Sequence, residues 1–167
     1  VASLDDVPAS ERFDLLCAFE VLEHIDDDAG ALGEWSRRLT AGADVVVSVP
    51  AWPARFSITD EEVGHLRRYT PEQLVGLAES AGLVDIETRF YGYPLGYVQE
   101  PVRDLLTRRA RARSGAATAT TSERTQRSGA WYQPPRWANG AIRTATLPFR
   151  VLQRRVPDRG TGLVLHA

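Results

Sequence analysis

Residues 13–24 read FDLLCAFEVLEH, and this stretch decides the fold of the chain. It opens with the largely apolar run Phe13–Phe19, which lies between polar segments and is typical of a buried strand in a parallel sheet. Glu20, Glu23 and His24 follow this run directly. We therefore predict a strand whose carboxyl end delivers two carboxylates and an imidazole.

Helical and strand patterns alternate after this stretch. Gly42 is placed to terminate a helix whose apolar residues are Leu32, Trp35 and Leu39. The β-branched run Val45–Val49 predicts a second strand. The residues TPEQ, beginning at Thr70, supply an N-cap and a capping box for a further helix, which Gly82 ends. This alternation predicts an α/β sheet with helices on its faces.

The C-terminal part of the chain is less regular. We predict strands over Leu83–Tyr93 and Gly162–Leu165, a helix over Val98–Ala112, a loop over Ser114–Ser128, and a helix over Ala138–Val156 that breaks near Pro148. The aromatic, proline-containing segment Trp131–Trp137 is expected to dock on the rest of the protein.

Length and composition indicate one ordinary globular domain. The chain has 167 residues, a net charge of −2 and 43% hydrophobic residues. Its single cysteine excludes a disulfide scaffold, and no apolar run is long enough for a membrane helix. We expect a cytoplasmic protein with no membrane partner. The absence of methionine, even at position 1, suggests a fragment or an unusual start codon.

Charge is distributed unevenly along the chain. Residues 1–100 hold 19 acidic residues and 7 Arg, whereas residues 101–167 hold 3 acidic residues and 13 Arg. Such a basic segment either binds nucleic acid or another anionic surface, or packs across the acidic half and neutralises it. Residues 103–127 contain no aromatic side chain to stack on bases, so we expect no nucleic-acid partner.

The polar residues after the first strand are the first candidate site. Ligands of open α/β sheets bind beyond the carboxyl ends of the strands. If the chain is helical from Glu20 onward, then Glu20, Glu23 and His24 share a face and can hold a metal, a substrate hydroxyl or a cofactor. In the alternative interpretation, the two carboxylates only cap the turn and His24 makes a structural hydrogen bond.

His65 is the second candidate. It lies in the segment GHLRRY between a strand and a capped helix, where it can act as a base on a substrate hydroxyl while Arg67 binds an acidic substrate. In the structural alternative, His65 bonds to the preceding loop. Arg67 and Arg68 then pair with carboxylates of Asp60, Glu61 or Glu62.

The order FDLLCAFEVLEHIDD, VVVSVP and GHLRRYTPEQLVGLAESAGL resembles class I S-adenosylmethionine-dependent methyltransferases. The closest resemblance is to the subgroup related to ubiquinone-pathway O-methyltransferases and to the broad methyltransferase families of bacterial genomes. It implies a Rossmann-like sheet that lacks its first strands, with an antiparallel closing strand over Gly162–Leu165. The family's glycine-rich cofactor loop has no counterpart here, so the chain is expected to be the C-terminal two-thirds of the domain.

The resemblance also implies a division of the chain. Residues 1–94 are expected to form the C-terminal part of the methyltransferase core, and residues 160–167 its closing strand. Residues 95–159 then form an Arg-rich insertion of helices and loops that serves as a substrate cover. Five aromatic residues could line the pocket under this cover, or alternatively pack on the edge of the sheet. They are Tyr93, Tyr97, Trp131, Tyr132 and Trp137.

The site residues follow from the resemblance by position. Cofactor contacts are expected from Ser3, Leu4, Phe19, Glu20 and His24, and the catalytic residues are expected to be His24 and His65. We expect no metal. The alternative is the ligand pattern of some metal-assisted O-methyltransferases, which Glu20, Glu23, His24 and His65 satisfy with Mg²⁺ or Mn²⁺.

The expected function is methyl transfer from S-adenosylmethionine to a small molecule, with oxygen as the favoured acceptor atom. The missing glycine-rich loop leaves open whether this chain is active alone. The alternative is a truncated or degenerate, non-catalytic protein of the same fold. A nicotinamide-dependent enzyme fits less well, because the GxGxxG sequence is also absent. The acceptor and the oligomeric state stay open.

Overall fold

The computed structural model describes residues 7–114 and 138–167 of the chain. Predicted cofactor contacts Ser3 and Leu4 therefore lie outside the described residues, as do the predicted loop beyond Ser114 and the aromatic segment Trp131–Trp137. No helix in the described ranges is both long enough and apolar enough to cross a membrane.

Four strands and five α-helices form the described structure. The strands are β1 (Phe13–Phe19), β2 (Leu39–Pro50), β3 (Glu87–Tyr91) and β4 (Gly162–His166). The helices are α1 (Asp28–Ser36), α2 (Ile58–Val63), α3 (Pro71–Ser80), α4 (Leu95–Ser114) and α5 (Ala138–Arg155). Two short 3₁₀ helices cover Leu22–His24 and Pro53–Arg55.

The strands form one mixed sheet in the order β1-β2-β4-β3. β1 runs parallel to β2, and β4 is antiparallel to both β2 and β3. Strands β1, β2 and β3 therefore point the same way, and their carboxyl ends meet at one edge of the sheet. The α/β class and the antiparallel closing strand are confirmed.

The core lies between the sheet and the helices α1 and α3. Leu32 of α1 and Leu74 and Ala78 of α3 are buried together with strand residues Val45, Val47, Val49, Leu163 and Leu165. Burying one such aliphatic side chain contributes about 1.5–3 kcal/mol. Both hydrogen bonds of the predicted capping box at Thr70 are present, so the start of α3 is confirmed.

The boundary between α1 and β2 differs from the prediction. The helix ends at Ser36, and Leu39, predicted to lie on its apolar face, is the first residue of β2. Leu39 is paired with Phe13 of β1, so strand pairing outweighs the helical spacing of the apolar residues. Gly42 consequently lies inside β2 and terminates no helix.

Two other boundaries also differ. The predicted break near Pro148 is wrong, because α5 continues through this residue. A proline removes one backbone hydrogen bond, and the flanking turns of this 18-residue helix keep theirs. β3 covers only Glu87–Tyr91 of the predicted Leu83–Tyr93, since Asp85 has a φ of +54°, which extended strands do not adopt.

Candidate functional site

Glu20 links three strands at the carboxyl edge of the sheet. It follows β1 with a φ of +54°, so the chain turns sharply there and does not continue as a helix. Its Oε1 accepts hydrogen bonds from Ser48 Oγ of β2 at 3.1 Å and from the Tyr91 hydroxyl of β3 at 2.6 Å. Burial, together with this carboxylate, raises the pKa of Tyr91. Glu20 is therefore held by the sheet edge.

Glu23 is the most unusual residue at this edge. It lies in the 3₁₀ helix after β1, is fully buried, and receives no hydrogen bond on either carboxylate oxygen. Burial and the nearby Glu20 carboxylate raise the pKa of Glu23 to about 8. A buried carboxylate without donors is costly, so this side chain requires a proton or a cation. The proposed capping role of Glu23 is wrong.

His24 faces this carboxylate. Its Nδ1 donates a hydrogen bond to the Gly64 carbonyl at 3.0 Å, because a carbonyl oxygen can only accept. Its Nε2 lies 3.9 Å from Glu23 Oε1. Burial lowers the pKa of His24 and outweighs the bond to Gly64, which keeps the ring neutral with its Nε2 lone pair free.

His65 approaches Glu23 from the other side. Its Nε2 lies 3.7 Å from Glu23 Oε1, and its Nδ1 lies 2.8 Å from Asp60 Oδ1. The two imidazole rings meet edge to face, with centroids 4.8 Å apart. The loop carrying His65 is fixed by the Leu66 N–H, which donates to the Glu23 carbonyl at 2.8 Å.

Asp60 orients His65. It is buried in α2, where it completes a capping box with Ser57 and accepts two hydrogen bonds from Arg68. Burial alone raises the pKa of Asp60, but the bonds from His65 and Arg68 outweigh it and hold that pKa far below its usual range. The ionised carboxylate can only accept, so His65 Nδ1 is the donor and the Nε2 atom is the one turned towards Glu23.

The Glu23 carboxylate and the Nε2 atoms of His24 and His65 therefore converge, with Glu23 Oε1 3.9 Å from His24 Nε2 and 3.7 Å from His65 Nε2. One ligand atom each from Glu23, His24 and His65 lies within 4.8 Å of the others, a grouping that fits a divalent cation or a shared proton. Glu20, the fourth residue of the predicted metal set, is bonded to Ser48 and Tyr91 instead. The structure thus brings together three of the four predicted residues.

Both arginines after His65 form ion pairs, but only Arg68 pairs with a carboxylate proposed from the sequence. Arg68 joins Asp60 to Glu100 of α4, with its Nη1 2.8 Å from Glu100 Oε1. Arg67 pairs with Asp28 of α1 at 2.9 Å and not with the carboxylates proposed from the sequence. Both guanidinium groups are engaged by carboxylates, which disfavours Arg67 as the binder of an acidic substrate.

A cavity of about 180 Å³ lies beside His65. Its walls come from the sheet edge, from α2 and from α4, and include Glu20, Asp60, His65, Tyr91 and Glu100. Neither Phe19 nor His24 lines it. His65, which lines the cavity, is therefore better placed than His24 to act on a molecule in it.

Sequence reasoning predicted a substrate cover over residues 95–159 but did not single out the acidic residues of α4. Glu100 and Asp104 face the cavity, although the segment resembles no known motif. Their signal was two acidic residues one helical turn apart in an otherwise Arg-rich helix. Tyr93 and Tyr97 do not line the cavity; they contact each other edge to face, and Arg55 lies 4.5 Å above the Tyr97 ring.

The sequence is similar to that of one curated methyltransferase. Over 46 residues the chain is 41% identical to the mitochondrial ubiquinone biosynthesis O-methyltransferase of Candida albicans. The match covers 28% of this chain and 14% of that protein, so the chain spans a small part of this relative. No protein-family model matches the chain.

The chain also aligns with solved structures of two differently named proteins. Phosphoethanolamine N-methyltransferase 2 of Haemonchus contortus, in complex with S-adenosyl-L-methionine, gives a TM-score of 0.43 at 17% identity, over 93% of this chain and 33% of that one. The [4+2]-cyclase SpnF gives 0.46 at 15% identity, over 93% and 49%. The partial match to the curated relative agrees with the resemblance to class I methyltransferases.

Proposed function

We propose that the full-length protein transfers a methyl group from S-adenosylmethionine to a small molecule, with oxygen as the favoured acceptor atom. The observation that carries this proposal is the position of His65, which lines the cavity while Asp60 Oδ1 lies 2.8 Å from its Nδ1. The similarity to the O-methyltransferase of Candida albicans supports the same reaction class.

The described residues fit one wall of a cofactor cleft. Phe19 ends β1 with a ring that is 59% exposed at the carboxyl edge of the sheet, and Glu20 follows it. We propose contacts from Phe19, Glu20 and His24, with Ser3 and Leu4 contributing from outside the described residues. When bound, the cofactor supplies a sulfonium-activated methyl group, and the protein holds the acceptor in line with it.

His65 has the catalytic role in this proposal. Its Nε2 would take the proton of the acceptor hydroxyl while that oxygen displaces the sulfur from the methyl carbon, and the sulfur would keep the electron pair of the broken bond in S-adenosylhomocysteine. The Asp60 carboxylate, fixed by Arg68, stabilises the imidazolium that results. His24 has its Nδ1 bonded to Gly64 and does not line the cavity, so we propose that it positions Glu23 and the neighbouring loop.

Calorimetric titration of the full-length protein with S-adenosylhomocysteine tests the cofactor. We expect saturable binding, and the absence of binding would favour the non-catalytic alternative. In a methyl-transfer assay, His65→Gln should lower kcat by about 10²–10⁴-fold while leaving cofactor affinity unchanged. His166→Gln is the matched control, because His166 contacts Asp44 on the surface, away from the cavity.

We propose that, besides the cofactor, the carboxyl edge of the sheet binds a divalent cation, which Glu23, His24 and His65 hold. The observation that favours it is the convergence of these three side chains around a buried carboxylate that receives no hydrogen bond. A bound cation would lower the pKa of an acceptor hydroxyl. It would also occupy the lone pair of His65, so the cation and the His65 base are competing roles for one nitrogen.

Thermal unfolding distinguishes these roles. With a cation site, adding Mn²⁺ or Zn²⁺ to chelator-treated protein raises Tm, and Glu23→Gln abolishes the rise. Glu79→Gln, an exposed residue of α3, should retain it. If Tm does not respond to either metal in the wild-type protein, the trio holds a proton and His65 is the base.

A further inference from the structure

Helix α4 packs on the protein through its polar side. Glu100, Asp104, Thr107 and Arg111 recur at helical spacing; Glu100 pairs with Arg55 and Arg68, and the other three contact α2 and its N-cap. Asp104 accepts hydrogen bonds from Ser57 and Thr59, Thr107 is buried, and Arg111 pairs with Glu61 and Glu62. Most surface helices expose their polar side to solvent, whereas α4 packs its polar side against the rest of the protein.

The opposite side of α4 is apolar and exposed. It carries Val98, Val102, Leu105 and Leu106, which recur at spacings of three, four and seven residues. They are 62%, 51%, 47% and 50% exposed. Arg109 and Arg113 continue the same row towards the end of the helix. We call this row of six residues the outer face of α4.

Helix α5 has a similar character. Its exposed apolar residues are Leu147, Phe149, Val151 and Leu152. Across α4 and α5, eight arginines form no ion pair with any described carboxylate: Arg103, Arg108, Arg109, Arg113, Arg143, Arg150, Arg154 and Arg155. Two helices therefore combine exposed aliphatic side chains with uncompensated positive charge.

Exposed aliphatic side chains together with unpaired arginines favour some binding partners over others. A second copy of the chain would bring arginines against arginines, a repulsion that disfavours self-association. Nucleic acid would neutralise the arginines but leave the aliphatic side chains without an apolar partner, and the outer face has no aromatic ring to stack on bases. An anionic lipid surface satisfies both components, because basic amphipathic helices lie in the interface with their apolar side inserted.

We propose that α4 and α5 dock this protein on an anionic lipid bilayer, with the outer face of α4 inserted at the headgroup boundary. This peripheral mode differs from the expectation that the protein has no membrane partner, which considered spanning segments. Docking would place the cavity directly behind the bilayer surface, since residues on the inner side of α4 line that cavity. The proposal stands independently of methyl transfer.

Vesicle flotation of the 167-residue chain tests the proposal. The chain should float with vesicles of phosphatidylcholine mixed with phosphatidylglycerol, and much less with phosphatidylcholine alone. Raising the salt concentration should weaken this binding. The variant Val102→Glu, Leu106→Glu should bind the anionic vesicles about tenfold more weakly, because each change removes apolar area and adds repulsion.

The matched control is Val84→Glu, which alters an exposed valine between α3 and β3. It should bind as the wild type does, and circular dichroism should show all variants folded, since every altered side chain is at least half exposed. Failure of the wild-type chain to float with anionic vesicles overturns the proposal. So does a double variant that binds vesicles normally but converts a dimer to a monomer in sedimentation analysis, because the outer face then joins two copies.

Discussion

Glu23 is the residue with the strongest consequences for its surroundings. Its burial beside Glu20 raises its pKa to about 8, so in the absence of a cation the folded protein holds a proton that the unfolded chain releases near pH 4.5. Between these values the folded state binds more protons than the unfolded state. The free energy of unfolding must therefore fall as the pH rises through this window.

Replacing Glu23 with Gln should remove this pH dependence. We expect the wild-type protein in chelator to lose a few kcal/mol of stability between about pH 5 and pH 8, and Glu23→Gln to lose much less. Urea unfolding at both pH values measures the difference. Glu79→Gln, altered on an exposed surface, serves as the control and should follow the wild type. Parallel pH profiles for wild type and Glu23→Gln would contradict the assignment.

Residue-level prediction from sequence was partial for physical reasons. His24 and His65 were identified because histidines at strand ends reach the ligand edge of an α/β sheet. Asp60 was seen only as a partner for arginine, because its contact with His65 depends on the turn at Gly64, which has a φ of +86°. The predicted convergence of Glu20 with Glu23 assumed a regular helix, whereas Glu20 begins with a left-handed turn.

At the scale of elements, α3 shows how local sequence can determine a helix. The Thr70 side chain accepts a hydrogen bond from the Gln73 N–H, and the Gln73 side chain accepts one from the Thr70 N–H. Both contacts lie within four residues, so no tertiary information is needed to predict them. The start of β2 lacks such a local signal, because it depends on pairing with β1.

Removing this cap should have a measurable cost. Thr70→Ala leaves an N–H of the first turn without its acceptor, and we expect a loss of about 1 kcal/mol in the free energy of unfolding. Thr70→Ser keeps a hydroxyl acceptor and should remain within a few tenths of the wild type. Urea unfolding of both variants checks the prediction. Equal losses for Ala and Ser would show that packing, not capping, determines the effect.

At the scale of the whole molecule, the uneven charge has a structural expression. Arg111 of α4 pairs with Glu61 and Glu62, so part of the basic segment does neutralise part of the acidic one. The sequence predicted the uneven charge, but not which arginines pair with carboxylates and which do not. On α4, Arg111 on the inner side pairs with carboxylates, whereas Arg109 and Arg113 on the outer face do not pair with any described carboxylate.

The open side of the sheet is a second whole-molecule feature. Among the described residues, β1 pairs only with β2, and Leu15 in this strand is 53% exposed. An unpaired edge with exposed aliphatic side chains promotes association between chains. Leu15→Lys should therefore reduce concentration-dependent self-association of the 167-residue chain, measured by light scattering. Val84→Lys controls for added charge, and an equal reduction by both variants would locate the association elsewhere.

The position of β4 has a consequence for how the protein is made. This strand lies between β2 and β3 in the sheet, yet it is synthesised long after both of these neighbours. Until it emerges from the ribosome, the two earlier strands have no partner on their facing sides. Such non-local pairing slows folding and exposes strand edges on the way. Nascent chains that end before Gly162 should accordingly be targets for chaperones, whereas chains that include His166 can close the sheet.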